Sequence, residues 1–234
     1  MSLRDMLSPA VEDYLKAIFT LQSEQERGED PVGTTQLADH LDVASASVTN
    51  MLKRLDALGL ARYIAYKGAN LTEDGKAIAL EIIRHHRLLE TYLREVMGYD
   101  WEEMHAEAEH LEHHISEEFE DRLDRMLGYP THDPHGDPIP DRDGTMVQIQ
   151  SDPLSACPSG ERLIVRRITD TDVELIRQIE ALNLLPGSEF CIDGQHNGSD
   201  DLLIQTSDRQ MVVPMALLDH VFASRLVETQ QPPA

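Results

Sequence analysis

Histidine and acidic residues are concentrated in residues 105–118, which read HAEAEHLEHHISEE. On one continuous helix, His105, Glu109, Glu112 and His113 would fall along one face, at positions i, i+4, i+7 and i+8. Imidazoles and carboxylates that converge on one side of a helix can bind a divalent metal ion. The alternative is a solvated acidic helix rich in histidine, because runs of charge usually face water.

Two further places carry groups of the same chemistry. His86 and Glu90 lie one turn apart in a predicted long helix, a spacing that more often gives a surface hydrogen bond than a metal site. Asp13 lies in the first turn of a helix that Ser8 and Pro9 are expected to start. On that position alone, a carboxylate favoured by the helix dipole is the simpler interpretation.

The composition is that of a globular protein, with 41% hydrophobic and 27% charged residues. No run approaches the roughly 18 apolar residues of a membrane span, and the N-terminus lacks a signal-peptide pattern. Cys157 and Cys191 are the two cysteines and form no CxxC motif. We therefore expect a reduced, cytoplasmic protein without disulfides, without a thiolate zinc site and without a membrane partner.

The net charge of −23 argues against a nucleic-acid partner, but the charge is unevenly distributed. Residues 99–125 hold eleven acidic side chains against Arg122 and Arg125. Residues 34–70 instead hold four Lys or Arg side chains against three Asp. A segment with exposed basic residues can still meet phosphates, and bound divalent cations would offset part of the acidity.

Residues 34–72 predict a winged helix-turn-helix. A short helix with Leu37 and Leu41 is followed by a turn, a second helix from Ser45 to Gly59 and a hairpin with its tip near Tyr66. Small, amide and basic side chains there can approach base edges and phosphates. The predicted DNA contacts are Thr34, Ser45, Ala46, Ser47, Thr49, Asn50, Lys53, Arg54, Tyr66 and Lys67. The alternative is an ordinary helical hairpin with a small polar face.

The remaining segments supply dimerisation and a second fold. A long helix from Thr72 has too many apolar positions for one partner, which predicts a homodimer. A helix over residues 100–125 would carry the His/Glu face, and His110, His114, His132, His135 and His196 are expected to be solvated. Short strands with polar turns after a Pro-rich stretch suggest an SH3-like β-barrel. The fold class is therefore mainly α with small β parts.

We divide the chain accordingly. The predicted segments are a winged helix-turn-helix domain (1–74), a helical metal-binding and dimerisation domain (75–127), a Pro-rich linker (128–150), an SH3-like domain (151–228) and a tail (229–234).

The chain resembles the diphtheria-toxin-repressor family of metal-activated transcriptional regulators. The motifs that carry the resemblance are VEDYLKAIFTL, SASVTNMLKRL, HHRLLETYL, HAEAEHLEHHISEE and HGDPIP, and they span nearly the whole length. The resemblance implies a repressor of metal-uptake genes that binds a palindromic operator on double-stranded DNA as a dimer. It also implies a FeoA-like form of the C-terminal domain.

The resemblance implies two metal sites per subunit. The primary site would fall on Asp13, Glu109, Glu112 and His113. Carboxylates stand at the first two positions, as in the manganese-responsive branch, where iron-responsive members have Met and Cys. Mn²⁺ or Fe²⁺ is therefore the expected cofactor.

The ancillary site would fall on His86, Glu90 and His105, with Asp172 from the C-terminal domain. Leu175, which aligns with a further ligand of that site, cannot coordinate, so Glu174 is a possible substitute. Lys16 stands where the manganese branch has a Glu that supports a closely spaced metal pair. The resemblance therefore implies two separated sites.

Two other classes of protein could use a His/Glu cluster. A metal-dependent hydrolase would need a motif such as HExxH or HxxEH, and Glu109 stands where the first His of HxxEH should be. A di-iron carboxylate bundle would need two facing Glu-x-x-His helices; Glu107–His110 is one such pair, and we find no second on a partner helix. Neither class gives the winged helix a role, so we predict a repressor and not an enzyme.

Overall fold

The computed structural model describes residues 6–23, 25, 30–147, 149–169 and 172–226. Its helices are α1 (Pro9–Ser23), α2 (Thr34–His40), α3 (Ser45–Ala57), α4 (Glu73–Glu95), α5 (Trp101–Leu111), α6 (Glu117–Met126) and α7 (Val173–Ala181). Its strands are β1 (Ala61–Ile64), β2 (Gly68–Leu71), β3 (Asp152–Pro153), β4 (Arg162–Ile168), β5 (Glu189–Gln195), β6 (Leu202–Gln205), β7 (Gln210–Val213) and β8 (Val221–Arg225). The predicted fold class is confirmed.

The chain divides into two compact units. The first unit comprises Met1–Tyr92, Ala106–Thr131 and Ile139–Met146, and the second comprises Leu93–His105, His132–Pro138 and Val147–Ala234. This division does not test the predicted domain boundaries at residues 74, 127 and 150, which stay predictions.

Helix α1 begins at the predicted position. The backbone oxygen of Ser8 accepts hydrogen bonds from Val11 N and Glu12 N, and the missing N–H of Pro9 costs nothing in a first helical turn. Leu15 and Ile18 are fully buried and, with Val11, attach this helix to the hydrophobic core of the first unit. The buried face leaves Asp13 partly exposed at the edge of the helix.

The wing is a two-stranded antiparallel hairpin with Ala61 opposite Leu71 and Ile64 opposite Gly68. Val32 extends it by exchanging backbone hydrogen bonds with Ala69. Gly68 has φ of 121°, and a Cβ there would overlap the Val32 oxygen, so no other residue fits without displacing the backbone. The predicted order of helix, turn, helix and hairpin is present.

The predicted helix over residues 100–125 is wrong as a single element. Helix α5 ends at Leu111, turns follow, and α6 starts at Glu117. Ser116 caps α6, because its side-chain oxygen accepts a hydrogen bond from Phe119 N at 3.3 Å. A cap inside the stretch, followed by acidic residues in the next turn, favours a new helix start over continuation.

The second unit contains an antiparallel sheet with strand order β3-β8-β4-β5-β6-β7. The alternating patterns of residues 161–168, 188–192, 202–205 and 210–213 predict β4 to β7 within a few residues, whereas no pattern predicted β3 or β8. The sheet is curved by register shifts in β4 (between Val165 and Arg167) and in β5 (between Ile192 and Gly194). Helix α7 buries Ile176 and Ile179.

Much of the segment predicted as a Pro-rich linker, residues 128–150, is packed. In the second unit, Asp133 Oδ1 accepts hydrogen bonds from His135 N and Asp137 N, both at 2.9 Å. His135 is only 2% exposed, so its assignment as a solvated side chain was wrong. In the first unit, Ile139 is buried and Asp141 Oδ1 accepts from two backbone N–H groups. Local carboxylate turns, which composition does not reveal, give this segment its order.

Candidate metal centre

Three of the predicted ligands converge in the first unit. Asp13 on α1, and Glu112 and His113 in the turn after α5, each offer one ligand atom, and these atoms lie within 4.8 Å of one another. His113 Nε2 is 2.9 Å from Asp13 Oδ1 and 3.6 Å from Glu112 Oε1. Because α5 ends at Leu111, the turn, and not a helical face, aims Glu112 and His113 toward α1.

Glu12 orients the histidine of this group. Its Oε2 lies 2.6 Å from His113 Nδ1, and the Glu12 side chain is buried. Burial opposes protonation of His113, but hydrogen bonds to Asp13 and Glu12 outweigh it and raise its pKa to about 9. With Nδ1 held by Glu12, Nε2 is the ring nitrogen that faces Asp13 and Glu112, a common arrangement for a metal-binding histidine.

The sequence prediction missed Glu12. Its signal was a carboxylate on the apolar stripe of α1, where Leu15 and Phe19 follow it at i+3 and i+7. A charged residue on a buried face needs a partner, and His113 is that partner.

Glu112 is fully buried and faces two groups of side chains. Its Oε1 is the atom nearest His113, whereas Oε2 lies 2.5 Å from His86 Nδ1. Its backbone oxygen lies 3.0 Å from Nδ1 of His85, which is also fully buried. The Glu112 carboxylate is therefore fixed in position from both its side chain and its backbone.

Glu109 is not a member of the Asp13 group. Its Oε1 accepts a hydrogen bond from Lys16 Nζ at 2.7 Å and lies 3.9 Å from His86 Nδ1. Lys16 also donates to Glu112 Oε1 and Oε2 at 3.0 and 2.9 Å. Burial would lower the pKa of Lys16, but the charges of Glu112 and Glu109 raise it above its ordinary value.

The predicted ancillary ligands are distributed over both units. In the first unit, His86 Nε2 lies 3.0 Å from Glu90 Oε1, and both residues are buried. His105 and Asp172 belong to the second unit. There Asp172 caps α7, since its Oδ1 accepts hydrogen bonds from the backbone N–H groups of residues 174 and 175. The ancillary site as a whole stays a prediction.

A second charged cluster of the first unit was not predicted. Arg84 Nε and Nη2 donate to Glu120 and Asp124 at 2.5 and 2.6 Å, and Nη1 donates to the Pro140 oxygen at 2.8 Å. His85 Nε2 lies 3.2 Å from Glu120. Burial would raise the pKa of Glu120, yet hydrogen bonds from His85 and Arg84 lower it to about 2.

The predicted DNA contacts lie on accessible surface. Eight of the ten are exposed, namely Ser45, Ala46, Ser47, Asn50, Lys53, Arg54, Tyr66 and Lys67, and Thr34 and Thr49 are half-buried. Tyr66, at the wing tip, has a positive φ of 65° and a fully exposed side chain. The opposite face of α3 buries Val48, Leu52 and Leu55.

The Asp13 group suits a divalent metal ion. Ligand bonds of about 2.0–2.2 Å allow donor atoms up to about 4.4 Å apart, close to the spread of this group. Two carboxylates and one imidazole favour Mn²⁺ or Fe²⁺ by hardness, although intrinsic affinity rises toward later metals of the row.

Comparison with known families matches three segments. Residues 6–69 match "Iron dependent repressor, N-terminal DNA binding domain", and residues 72–141 match "Iron dependent repressor, metal binding and dimerisation domain". Residues 153–225 match the FeoA domain.

Whole-chain relatives agree with these matches. The chain is 31% identical over 214 residues to the iron-dependent repressor IdeR of Mycobacterium tuberculosis, covering 85% of this chain and 90% of the relative. It is 28% identical to the diphtheria toxin repressor of Corynebacterium diphtheriae over 222 residues, which cover 86% of this chain and 95% of that protein. A solved manganese-dependent transcriptional repressor in complex with manganese is 32% identical, with a TM-score of 0.81 over 92% of this chain and all of that one.

These findings decide between the predicted classes of protein. The relatives are transcriptional repressors, and nothing in the comparisons supports the hydrolase alternative. Within the described residues, no helix has the length and apolar character needed to cross a membrane. Because its sequence matches both the DNA-binding and the metal-binding models and its length matches whole repressors, the chain belongs to the iron-dependent repressor family that includes the diphtheria toxin repressor.

Proposed function

We propose that this protein is a Mn²⁺- or Fe²⁺-activated repressor that binds a palindromic operator as a homodimer and controls genes of metal uptake. One observation carries the proposal: Asp13, on the helix that precedes the helix-turn-helix, lies within ligand distance of Glu112 and His113. These two residues belong to the segment that matches the metal-binding and dimerisation model. The site therefore joins the DNA-reading part of the chain to its dimerisation part.

The proposed primary ligands are Asp13, Glu112 and His113. Glu109, which the resemblance also assigned to this site, contacts Lys16 instead. The relatives named above are described as iron-dependent or manganese-dependent, and the oxygen-rich donor set agrees with both ions. His86 and Glu90 of the first unit are proposed ligands of a second ion, and the assignment of His105 and Asp172 to the same ion stays a prediction.

The residues of the primary site would act as a conformational switch. Asp13 and Glu112 carry like charges, which repel each other unless a cation lies near both, and in this structure His113 and Lys16 contact these carboxylates. Asp13, Glu112 and His113 would hold a divalent ion, which would supply two positive charges to this group. Asp13 then holds α1, and with it the helix-turn-helix, in one orientation. The ion would favour this orientation of α1 only to the extent that it binds it more tightly than the alternative orientations.

The DNA-reading residues would act in pairs across the dimer. Two copies of α3 about 34 Å apart would enter successive major grooves, one helical turn apart. Ser45, Ser47 and Asn50 would read base edges, whereas Lys53 and Arg54 would hold phosphates. Tyr66 and Lys67 on the wing would contact the backbone or the minor groove. A regulator of this kind works where the DNA is, which places it in the cytoplasm.

Selection from a pool of random duplexes tests the proposal. The protein is incubated with Mn²⁺, with Fe²⁺ under anaerobic conditions, and with chelator, and bound duplexes are sequenced. We expect a palindromic site enriched only with metal and lost in Glu112→Gln. The matched control is Glu118→Gln on the exposed surface of α6, which should select the same site as wild type. Equal enrichment in chelator would overturn metal activation, and no enrichment under any condition would overturn DNA binding.

A further inference from the structure

Lys16 places its ammonium group where a cation is surrounded by metal-type donors. Nζ lies 2.7 Å from Glu109 Oε1, 2.9 and 3.0 Å from the two oxygens of Glu112, and 3.2 Å from His86 Nδ1. The side chain is only 19% exposed, so these contacts lie largely away from solvent. Two carboxylates and one imidazole surround it, the same donor composition as in the Asp13 group.

We propose that Lys16 is a tethered cation that fills a second cation position beside the Asp13–Glu112–His113 centre, so that this part of the chain takes one divalent ion and not an adjacent pair. The inference rests on the proposed function, since it specifies how many ions that centre holds. It concerns the region around Glu112 and not the ancillary ions.

The geometry of Glu112 supports this role for Lys16. Its carboxylate lies between two sets of donors, with Oε1 nearest His113 and Oε2 nearest His86. A carboxylate with donors on both sides is the usual bridge between two metal ions, which lie about 3.5–4 Å apart in such sites. On the His113 side the remaining donor is Asp13, whereas on the His86 side Lys16 stands among the donors.

The position of Lys16 on α1 makes the pairing local. Lys16 follows Asp13 by three residues, so both side chains leave the same face of the helix and reach the same carboxylate. One helical turn thus supplies a metal ligand beside Glu112 and a positive charge that contacts both oxygens of its carboxylate. Without the ammonium, His86 Nδ1, Glu109 Oε1 and Glu112 Oε2 would be left as a donor set, with 3.9 Å between the first two atoms.

An ordinary salt bridge makes a different prediction from a tethered cation. A salt bridge that merely steadies α1 can be removed without changing how many ions bind. A cation that fills a coordination position must, when removed, open that position to a metal ion. Metal stoichiometry and the magnetic interaction between neighbouring ions separate the two roles.

The test uses Mn²⁺ and the full-length chain. Bound Mn²⁺ per subunit is measured by equilibrium dialysis, and electron paramagnetic resonance distinguishes isolated ions from an exchange-coupled pair. The variants are Lys16→Glu, which adds a ligand, and Lys16→Met, which removes only the charge. The matched control is Lys76→Glu, which makes the same charge change on an exposed position of α4. Circular dichroism verifies that each variant is folded.

We expect wild type and Lys76→Glu to give spectra of isolated Mn²⁺ ions with equal stoichiometry. Lys16→Glu should take up one more Mn²⁺ per subunit and show the exchange-coupled signal, and Lys16→Met should do so at higher Mn²⁺ concentration. A coupled pair already in wild type, or unchanged stoichiometry in both folded Lys16 variants, would overturn the inference. If those variants keep metal-dependent operator binding, the proposed function survives that outcome. Wild type that binds no Mn²⁺ at this centre would instead overturn the proposed function itself.

Discussion

Two charged clusters of the first unit contain similar side chains but have different roles. In the Arg84 cluster, a guanidinium donates three hydrogen bonds, to two carboxylates and a backbone oxygen, and His85 contacts one of those carboxylates. In the Asp13 cluster, two carboxylates meet at an imidazole whose Nε2 faces both of them. A guanidinium keeps its charge at any ordinary pH, whereas an imidazole can lose its proton and become a ligand.

Because of this difference, we call the Arg84 cluster a clamp, which stabilises the fold, and the Asp13 cluster a switch, which responds to metal. The Arg84 cluster carries its own cation and holds α4, α6 and the Pro140 segment together without an external ion. The Asp13 cluster joins α1 to the turn after α5 and has the donor set for an external cation. The first should therefore matter for stability and the second for regulation.

Removing the clamp should have the largest effect. Arg84→Met leaves Glu120 buried without its guanidinium, and breaking a buried pair from one side costs about 3–5 kcal/mol. Urea denaturation in chelator measures the free energy of unfolding. The control Arg122→Met removes an exposed i,i+4 pair and should cost less than about 1 kcal/mol. Equal losses in the two variants would show that the cluster is not a clamp.

Removing a ligand should act on metal binding. Glu112→Gln takes away a buried charged donor, and we expect Mn²⁺ affinity to fall by more than about 100-fold, since loss of supporting residues alone costs 10–100-fold. Isothermal titration with Mn²⁺ measures this change, with Glu118→Gln as the exposed control. If folded Arg84→Met weakens Mn²⁺ binding as much as Glu112→Gln does, the two clusters do not have separate roles.

Acid should weaken the clamp through Glu120. Its pKa in the folded chain is lowered to about 2 from an ordinary 4.5, so its contribution is present above about pH 4.5 and lost as the pH falls toward 2. One pKa unit corresponds to about 1.4 kcal/mol, so the shift of Glu120 gives a loss on the order of 3 kcal/mol once the carboxylate is fully protonated. Urea denaturation of wild type and Glu120→Gln between about pH 1 and about pH 6 measures this loss, because that range extends about one unit or more beyond both pKa values. A gap between the two proteins that stays constant with pH would contradict this assignment.

The smallest predicted effect concerns the orientation of His113. Glu12→Gln keeps a hydrogen-bond acceptor for His113 Nδ1 but removes the charge that makes the ring a better ligand. We expect Mn²⁺ affinity to fall about 10-fold, at the low end of the range for such supporting residues. The measurement is the same titration, and unchanged affinity would mean that Glu12 only fills the buried face of α1.

The sequence was sufficient for the parts that depend on local pattern. The helix-turn-helix, the wing and the start of α1 follow from caps, glycines and apolar spacing, and the structure has them where expected. Asp13, Glu112 and His113 were named together only through the family resemblance, because Asp13 is about a hundred positions away in the chain. Their convergence depends on tertiary packing that periodicity does not encode.

Other features could not be predicted for physical reasons. The break between α5 and α6 is one such feature. Ser116 can either cap a new helix or lie inside a continuous one, and which of the two forms depends on the surrounding contacts. The contact partners of Glu12, His85 and Lys16 lie on other elements, so their spacing in the sequence gives no signal. The Pro-rich composition of residues 128–150 suggested a linker, but turns built on carboxylates such as Asp133 order much of it.

The most direct measurement of the central claim is operator binding as a function of metal. Fluorescence anisotropy of a labelled operator, selected as described above, would be followed during Mn²⁺ titration for wild type, Glu112→Gln and Glu118→Gln. We predict that wild type and Glu118→Gln bind only once Mn²⁺ is added, and that Glu112→Gln needs more than about 100-fold higher Mn²⁺ or does not bind. Full binding by wild type in chelator, or an unchanged Mn²⁺ response in Glu112→Gln, would contradict the claim that this centre is the switch.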